Sequence, residues 1–198
     1  MIVKSTHVRA SRVSQRQASS ALSSHLKYLQ YRERDPEVES RADRYVFNDQ
    51  EDHVERRAAH DDLMGERAGD IYYHRLILSP AQDEPIADWR EWTRAVMRDL
   101  EDRVEKELDW YAVQHHNTDD PHVHVVLSGT GVDRETGREE AVELTPQDFC
   151  SLRESGREHS DYDHYHFIQD TLRDLDERDT IMLEAPAHEQ ENERVLER

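Results

Sequence analysis

The alternation of apolar and polar positions divides the chain into short strands and longer helices. A mixed segment holding Ile2, His7 and Val8 predicts a first strand. In SQRQASSALSSHLKYLQYR, Leu22, Leu26 and Leu29 recur at i, i+4 and i+7, the one-faced pattern of an amphipathic helix. RERDPEVESRADRYVFNDQ keeps no steady period and contains Pro36, which predicts a loop or an edge segment. DHVERRAAHDDLMGER predicts a helix stopped by Gly65 and Gly69. DIYYHRLILSP, aromatic and β-branched up to Ser79-Pro80, predicts a strand. IADWREWTRAVMRDLEDRVEKELD is the clearest helical pattern, with Trp89, Trp92, Val96, Leu100 and Val104 on one face and the tryptophans expected as core anchors.

Two strand patterns, WYAVQHH and HVHVVLSG, flank the turn-forming NTDDP and are expected to pair as an antiparallel hairpin. VDRETGREEAVEL predicts a second hairpin turning at Thr136-Gly137. TPQDFCSLRE opens a helix with Thr145 at its cap and Pro146 at its first position. DHYHFIQDTLRDLDER continues the helical pattern, with Phe167, Leu172 and Leu175 inward. Residues 1–178 are expected to form one domain, and residues 179–198, densely charged, a flexible tail.

A chain of 198 residues suits one domain with a single core. Its formal net charge of −19 should repel nucleic acid on average. The charge is uneven, however. Residues 1–32 hold Lys4, Arg9, Arg12, Arg16, Lys27 and Arg32 and no acid, so this segment is where a polyanion would first be sought. Lysine is confined to Lys4, Lys27 and Lys106, and an acid-rich, lysine-poor surface resembles that of proteins from a salt-loaded cytoplasm. There the Debye length falls to roughly 3 Å at 1 M salt, and the global repulsion fades. The single cysteine, Cys150, excludes an internal disulfide. No apolar run approaches the ~18 residues of a membrane span, and MIVKSTHVRASR lacks a signal-peptide core, so a cytoplasmic protein is expected.

The candidate chemistry lies in HHNTDDPHVHVVL. Residues two apart in a strand share a face, so His122 and His124 project together while Val123, Val125 and Leu127 face the core. His115 ends the preceding strand, and the hairpin can bring it beside the pair; His116 faces away. Three neutral imidazoles make a good site for a divalent transition ion and leave positions open, as a catalytic site requires. Asp119 and Asp120 are expected as turn residues.

The stretch H-x-N-T-x-x-P-H-x-H, read at His115, Asn117, Thr118, Pro121, His122 and His124, resembles the metal motif of plasmid relaxases, nucleases of the His-hydrophobe-His (HUH) endonuclease superfamily. The branch it resembles is that of conjugative and mobilisable plasmids and T-DNA transfer. IYYHRLILSP resembles the strand before that family's long helix, and SHLKYLQYR its nicking-tyrosine helix. The resemblance covers roughly residues 20–145 and implies an α+β fold, a central antiparallel β-sheet with helices packed on it. It also implies Mg²⁺ or Mn²⁺, single-stranded DNA nicked at an origin, and a tyrosine left attached to the 5′ end.

Tyr28 matches the nucleophile's position; the family usually shows a basic residue three positions later, where this chain has Tyr31, and Tyr31, one helical turn from Tyr28, is the second candidate. Asn117 stands where many relatives carry Asp; its amide can hold a ligand histidine or a water but cannot act as a base. His25, His74 and Arg75 are secondary candidates. The six basic residues of the amino-terminal segment would contact phosphates, each adding salt sensitivity. Nothing in the chain resembles a helicase, so a separate helicase or accessory mobilisation proteins are expected. The competing readings are a rolling-circle replication initiator with the same chemistry, a DNA-binding module that keeps the fold without cleaving, and a three-histidine zinc hydrolase, which lacks an obvious Glu base.

Overall fold

The computed structural model describes residues 1–31, 44–81, 84–116 and 120–160. Its elements run β1 (Ile2–Arg9), α1 (Gln15–Tyr31), α2 (Arg56–Leu63), β2 (Ile71–Ser79), α3 (Trp89–Val104), β3 (Lys106–His115), β4 (His122–Asp133), β5 (Glu139–Ala141) and α4 (Pro146–Glu158). The strands form one antiparallel sheet in the order β1-β2-β4-β3, with β5 paired to the far end of β4. The α+β architecture is thus the expected one.

Both faces of the sheet are covered. Leu76, Leu78, Trp110, Ala112, Val123, Val125 and Leu127 pack against Trp92, Val96, Met97 and Leu100 of α3 and Leu152 of α4. On the opposite face Tyr73, Tyr111, Val113 and Val126 meet Ala18, Leu22, Leu26 and Leu29 of α1 and Ala59 and Leu63 of α2. This double burial explains why β4 carries an unbroken apolar run, Val125-Val126-Leu127, where a half-exposed strand would alternate. Trp92 anchors the core as expected: it is 3% exposed, and its indole N–H donates to the Gly156 carbonyl at 2.8 Å.

The clearest helix is shorter than its pattern. It ends at Val104, where Glu105 takes the left-handed conformation (φ 56°, ψ 34°) and its N–H closes on the Glu101 carbonyl. Lys106, Glu107 and Leu108 then pair with Asp133, Val132 and Gly131. Leu108 lies four residues after Val104, so its apolar side chain fits either periodicity, and the ladder with β4 decides. The α2 helix likewise covers only the middle of its predicted span, because Val54 instead bridges to Val46. Phe47 pairs with Ala112 along the edge of β3, as an edge segment would. The second hairpin turns at Gly137, in the left-handed region at φ 66°. Thr145 caps α4 in a reciprocal box with Asp148, with Pro146 at its start. The described residues fall within one compact unit, Met1–Asp161. The helix predicted over 163–178, the domain end at 178, the tail, Arg32 and Asn117 lie outside the described residues. Among those described, no helix is long and apolar enough to cross a membrane.

His74 turns into the α3–α4 side of β2, 2% exposed, with Nε2 donating to the Val142 carbonyl at 2.8 Å. Burial holds its pKa below the ordinary histidine value, helped by His7 and Arg9 and opposed by the Val142 bond and Glu143. The unfolded chain therefore takes up this proton first, and stability falls as the pH drops through about 6.5. Thermal midpoints of the wild type and His74→Gln should converge on acidification from about pH 7.5 to about pH 5. A gap independent of pH would show that His74 does not titrate in this way.

Candidate metal centre

The β3–β4 hairpin sets the positions of the histidines. His115 stands opposite His122 in the register, and Val113 opposite His124. Strand alternation then places His115, His122 and His124 on the α1 side, in line with Tyr111, Val113 and Val126. His116 turns away, its ring 4.9 Å from that of Trp89. The triad's ring centroids are 4.8 Å apart for His115–His124 and His122–His124 and 5.5 Å for His115–His122. Nitrogens from the three rings lie within 4.8 Å of one another.

These rings fit a shared ion. The Nε2 atoms of His122 and His124 are 3.1 Å apart. Two ligand nitrogens at that separation subtend roughly 95–100° at an ion about 2.1 Å from each. The widest pair needs to close by at least about half an ångström, and by more in a tetrahedral arrangement, since even opposite nitrogens on one ion are at most about 4.2 Å apart. Backbone carbonyls orient the rings. His115, fully buried, has Nε2 3.0 Å from the Leu29 carbonyl. A carbonyl only accepts, so Nε2 carries the proton and the neutral ring keeps its lone pair on Nδ1. His122 donates from Nδ1 to the Asp120 carbonyl at 2.8 Å, which leaves the Nε2 lone pair facing His124. Ser79 ties this loop to β2 by donating to the Pro121 carbonyl at 3.2 Å. Such outer partners fix the orientation of ligand histidines.

Helix α1 touches the triad at two points. The ring of His25 lies 6.3 Å from that of His124, and Leu29 supplies the carbonyl to His115. Burial, then the nearby Arg75, lowers the pKa of His25 to about 4, so this ring too is neutral. Tyr28 lies between the two contacts, one turn after His25. Tyr28 is 55% exposed and makes no hydrogen bond among the described residues. Tyr31, 70% exposed, is covered by the Arg56 guanidinium 5.6 Å from its ring centre.

Of the described amino-terminal cations, Lys4 alone shares a row with the site: Lys4 pairs with Ile77, and Ile77 with His124. Arg9 ends β1 on the far side, bonded to Asp70 at 3.3 Å. Arg12 is exposed beyond it. Arg16 and Lys27, also exposed, project about 180° and 200° around α1 from His25. Two arginines stand out here, one of them unannounced by the sequence. Arg44, 4% exposed, donates to the same Leu29 carbonyl at 3.3 Å. Its aperiodic segment gave no signal of this. Arg75 was visible only as a charge inside an otherwise apolar strand. A cavity of about 650 Å³ beside β5 and α4 is lined by none of the histidines.

Residues 28–141 match the family model "Relaxase: MobA/VirD2-like, nuclease domain", which covers more than half of the 198 residues. The chain belongs to this relaxase family. The match opens at Tyr28 and closes at the end of β5, so it spans the triad and the strands that build it. No curated protein matches the chain. Membership supports DNA nicking for mobilisation; the family is metal-dependent, and the histidine cluster of this relaxase domain could hold an ion.

The carbonyl partners fix two different tautomers. In the metal-free protein near neutral pH, long-range ¹H–¹⁵N spectra of the imidazoles should place the ring proton of His115 on Nε2 and that of His122 on Nδ1. The reverse tautomer at either ring would contradict the orientation set by these carbonyls.

Proposed function

We propose that this relaxase domain nicks and rejoins single-stranded DNA at a plasmid origin, with Tyr28 as the nucleophile. His115, His122 and His124 would hold the divalent ion. What supports this most is the double contact of α1 with the triad, at His25 and at Leu29, on either side of Tyr28. Tyr31 is the weaker candidate, because Arg56 already covers its ring.

An ion held there would offset the negative charge that a phosphodiester gains under attack and would favour ionisation of the phenol. The rest falls to the chain. A tyrosine hydroxyl ionises near pH ~10, so it must be delivered close to the phosphorus to act at neutral pH. The stiff α1 helix does this, docked by four buried apolar residues. The Tyr28 oxygen would bond to phosphorus as the bond to the 3′ oxygen breaks. The 5′ end then stays on the protein, and the free 3′ hydroxyl can reverse the reaction. All three ligands are neutral, so they leave the ion's charge undiminished. Imidazole donors suit a transition ion better than Mg²⁺, which prefers oxygen, so Mn²⁺ is the better match of the two. Unwinding would come from a separate helicase, with accessory mobilisation proteins at the origin. A salt-rich cytoplasm would screen the repulsion between DNA and a chain of net charge −19.

Incubation with Mn²⁺ and labelled single-stranded DNA in high salt should yield a covalent adduct that survives denaturation. Tyr28→Phe and removal of the ion with EDTA should each abolish it, and Tyr31→Phe should leave most of it. An adduct that persists in Tyr28→Phe refutes the assignment of the nucleophile. DNA binding with no adduct under any condition would favour a non-cleaving module.

A further inference from the structure

The groove beside the triad stands out against the chemistry of the whole chain. Between β1, β2 and α1 lies a cavity of about 290 Å³ lined by Lys4, Thr6, His25, Arg75, Ile77 and His124, among others. The register explains this set. Lys4, Ile77 and His124 form one row across three strands, and Thr6, Arg75 and Val126 form the next. Alternation turns both rows to the α1 side, where His25 closes the groove. Among the described residues no carboxylate lines it, although the chain has 45 Asp and Glu against 26 Lys and Arg.

Arg75 is the central residue. Its Nε is buried with no hydrogen-bond partner, and among the described residues the side chain makes neither a hydrogen bond nor an ion pair. Several other arginines are matched to carboxylates: Arg94 binds Asp52 and Glu91, Arg134 binds Asp102 and Glu101, and Arg103 binds Asp148. A half-buried guanidinium left unmatched in so acidic a chain carries a desolvation cost that an anionic ligand would relieve. Lys4 forms no ion pair among the described residues either. A planar fork, an ammonium and the Thr6 hydroxyl together suit the tetrahedral oxygens of a phosphate.

We propose that this groove binds a backbone phosphate of the DNA strand, one neighbouring the phosphate held at the triad, with Arg75 as its fork and Lys4 as a second charge. This rests on the relaxase reading of the site. It adds a specific anchor that sets where along the strand the reacting linkage lies.

The test uses the full chain, fluorescein-labelled oligothymidylate and EDTA, so that binding is read without cleavage. Arg75→Gln should weaken binding roughly tenfold, as loss of a hydrogen bond to a charged group does. It should also lower the magnitude of the slope of log affinity against log salt by about 0.7, the value of one single-strand phosphate contact. Arg75→Lys should restore most of the slope. Because Arg75 holds nothing within the described protein, the thermal midpoint of Arg75→Gln should match or exceed the wild type. A lower midpoint would mean that the guanidinium supports the fold, and would overturn the proposal. Unchanged affinity and slope would overturn it too, while the tyrosine adduct of the wild type would still stand. A wild type that binds no single-stranded DNA would remove both readings at once.

Discussion

The site depends on one hydrogen bond between residues 86 apart in the chain, from Nε2 of His115 to the carbonyl of Leu29. The last carbonyls of any helix lack intrahelical partners. This one is buried, so leaving it unpaired would cost on the order of 1–3 kcal/mol. The His115 N–H and the Arg44 guanidinium both donate to it, and the charge of Arg44 is favoured near the negative end of the α1 dipole. The bond does two things together. It sets which nitrogen of His115 faces the other imidazoles, and it fixes the end of the helix that bears Tyr28. The tautomer of a metal-site ring and the position of a tyrosine on another element are therefore not independent.

Electrostatics sharpen the picture. At ordinary salt the Debye length is about 8 Å, so repulsion from distant carboxylates is largely screened, whereas contacts in a half-buried groove are not. Several carboxylates gather away from the triad. Asp49, Glu101, Glu107 and Asp109 surround a cavity at the other end of β3. Asp109 is about 20 Å along the strand from His115. Burial raises its pKa, and the neighbouring acids, Asp62 first, raise it further. Around the triad the chain instead sets neutral imidazoles, Lys4 and Arg75. A strongly acidic chain can thus present a locally cationic path to a polyanion, and net charge alone is a poor guide to its ligand.

What could be read from the sequence follows from how local each signal is. The period-2 spacing of His122 and His124, with a short turn back to His115, places three rings on one face without further information. The leucine stripe of α1 and the capping box at Thr145 are equally local. The early end of α3 was hidden because Leu108 satisfies both periods, and only pairing with Gly131 separates them. Arg44 was hidden for a deeper reason. Its partner is a main-chain carbonyl, and nothing in the identity of Leu29 announces that its backbone will be the acceptor. Arg75 fell between these cases: its charge was legible, but that no described carboxylate lines its groove is a property of the folded surface.

Reliance on a backbone acceptor has a consequence for how such a site is kept. A carbonyl survives any side-chain substitution at Leu29, so the helix–triad link can be lost only through its donors or through undocking of α1. Docking rests on Ala18, Leu22, Leu26 and Leu29, each at most 1% exposed. Shortening any of these leucines would leave a cavity costing about 2–5 kcal/mol, and the helix would answer by shifting. Its shift would move Tyr28, His25 and the Leu29 carbonyl as one body, because all three lie within five consecutive residues of one helix. Core packing on this face therefore acts as positioning at the site, and a substitution several turns from any histidine can disturb the geometry at the triad.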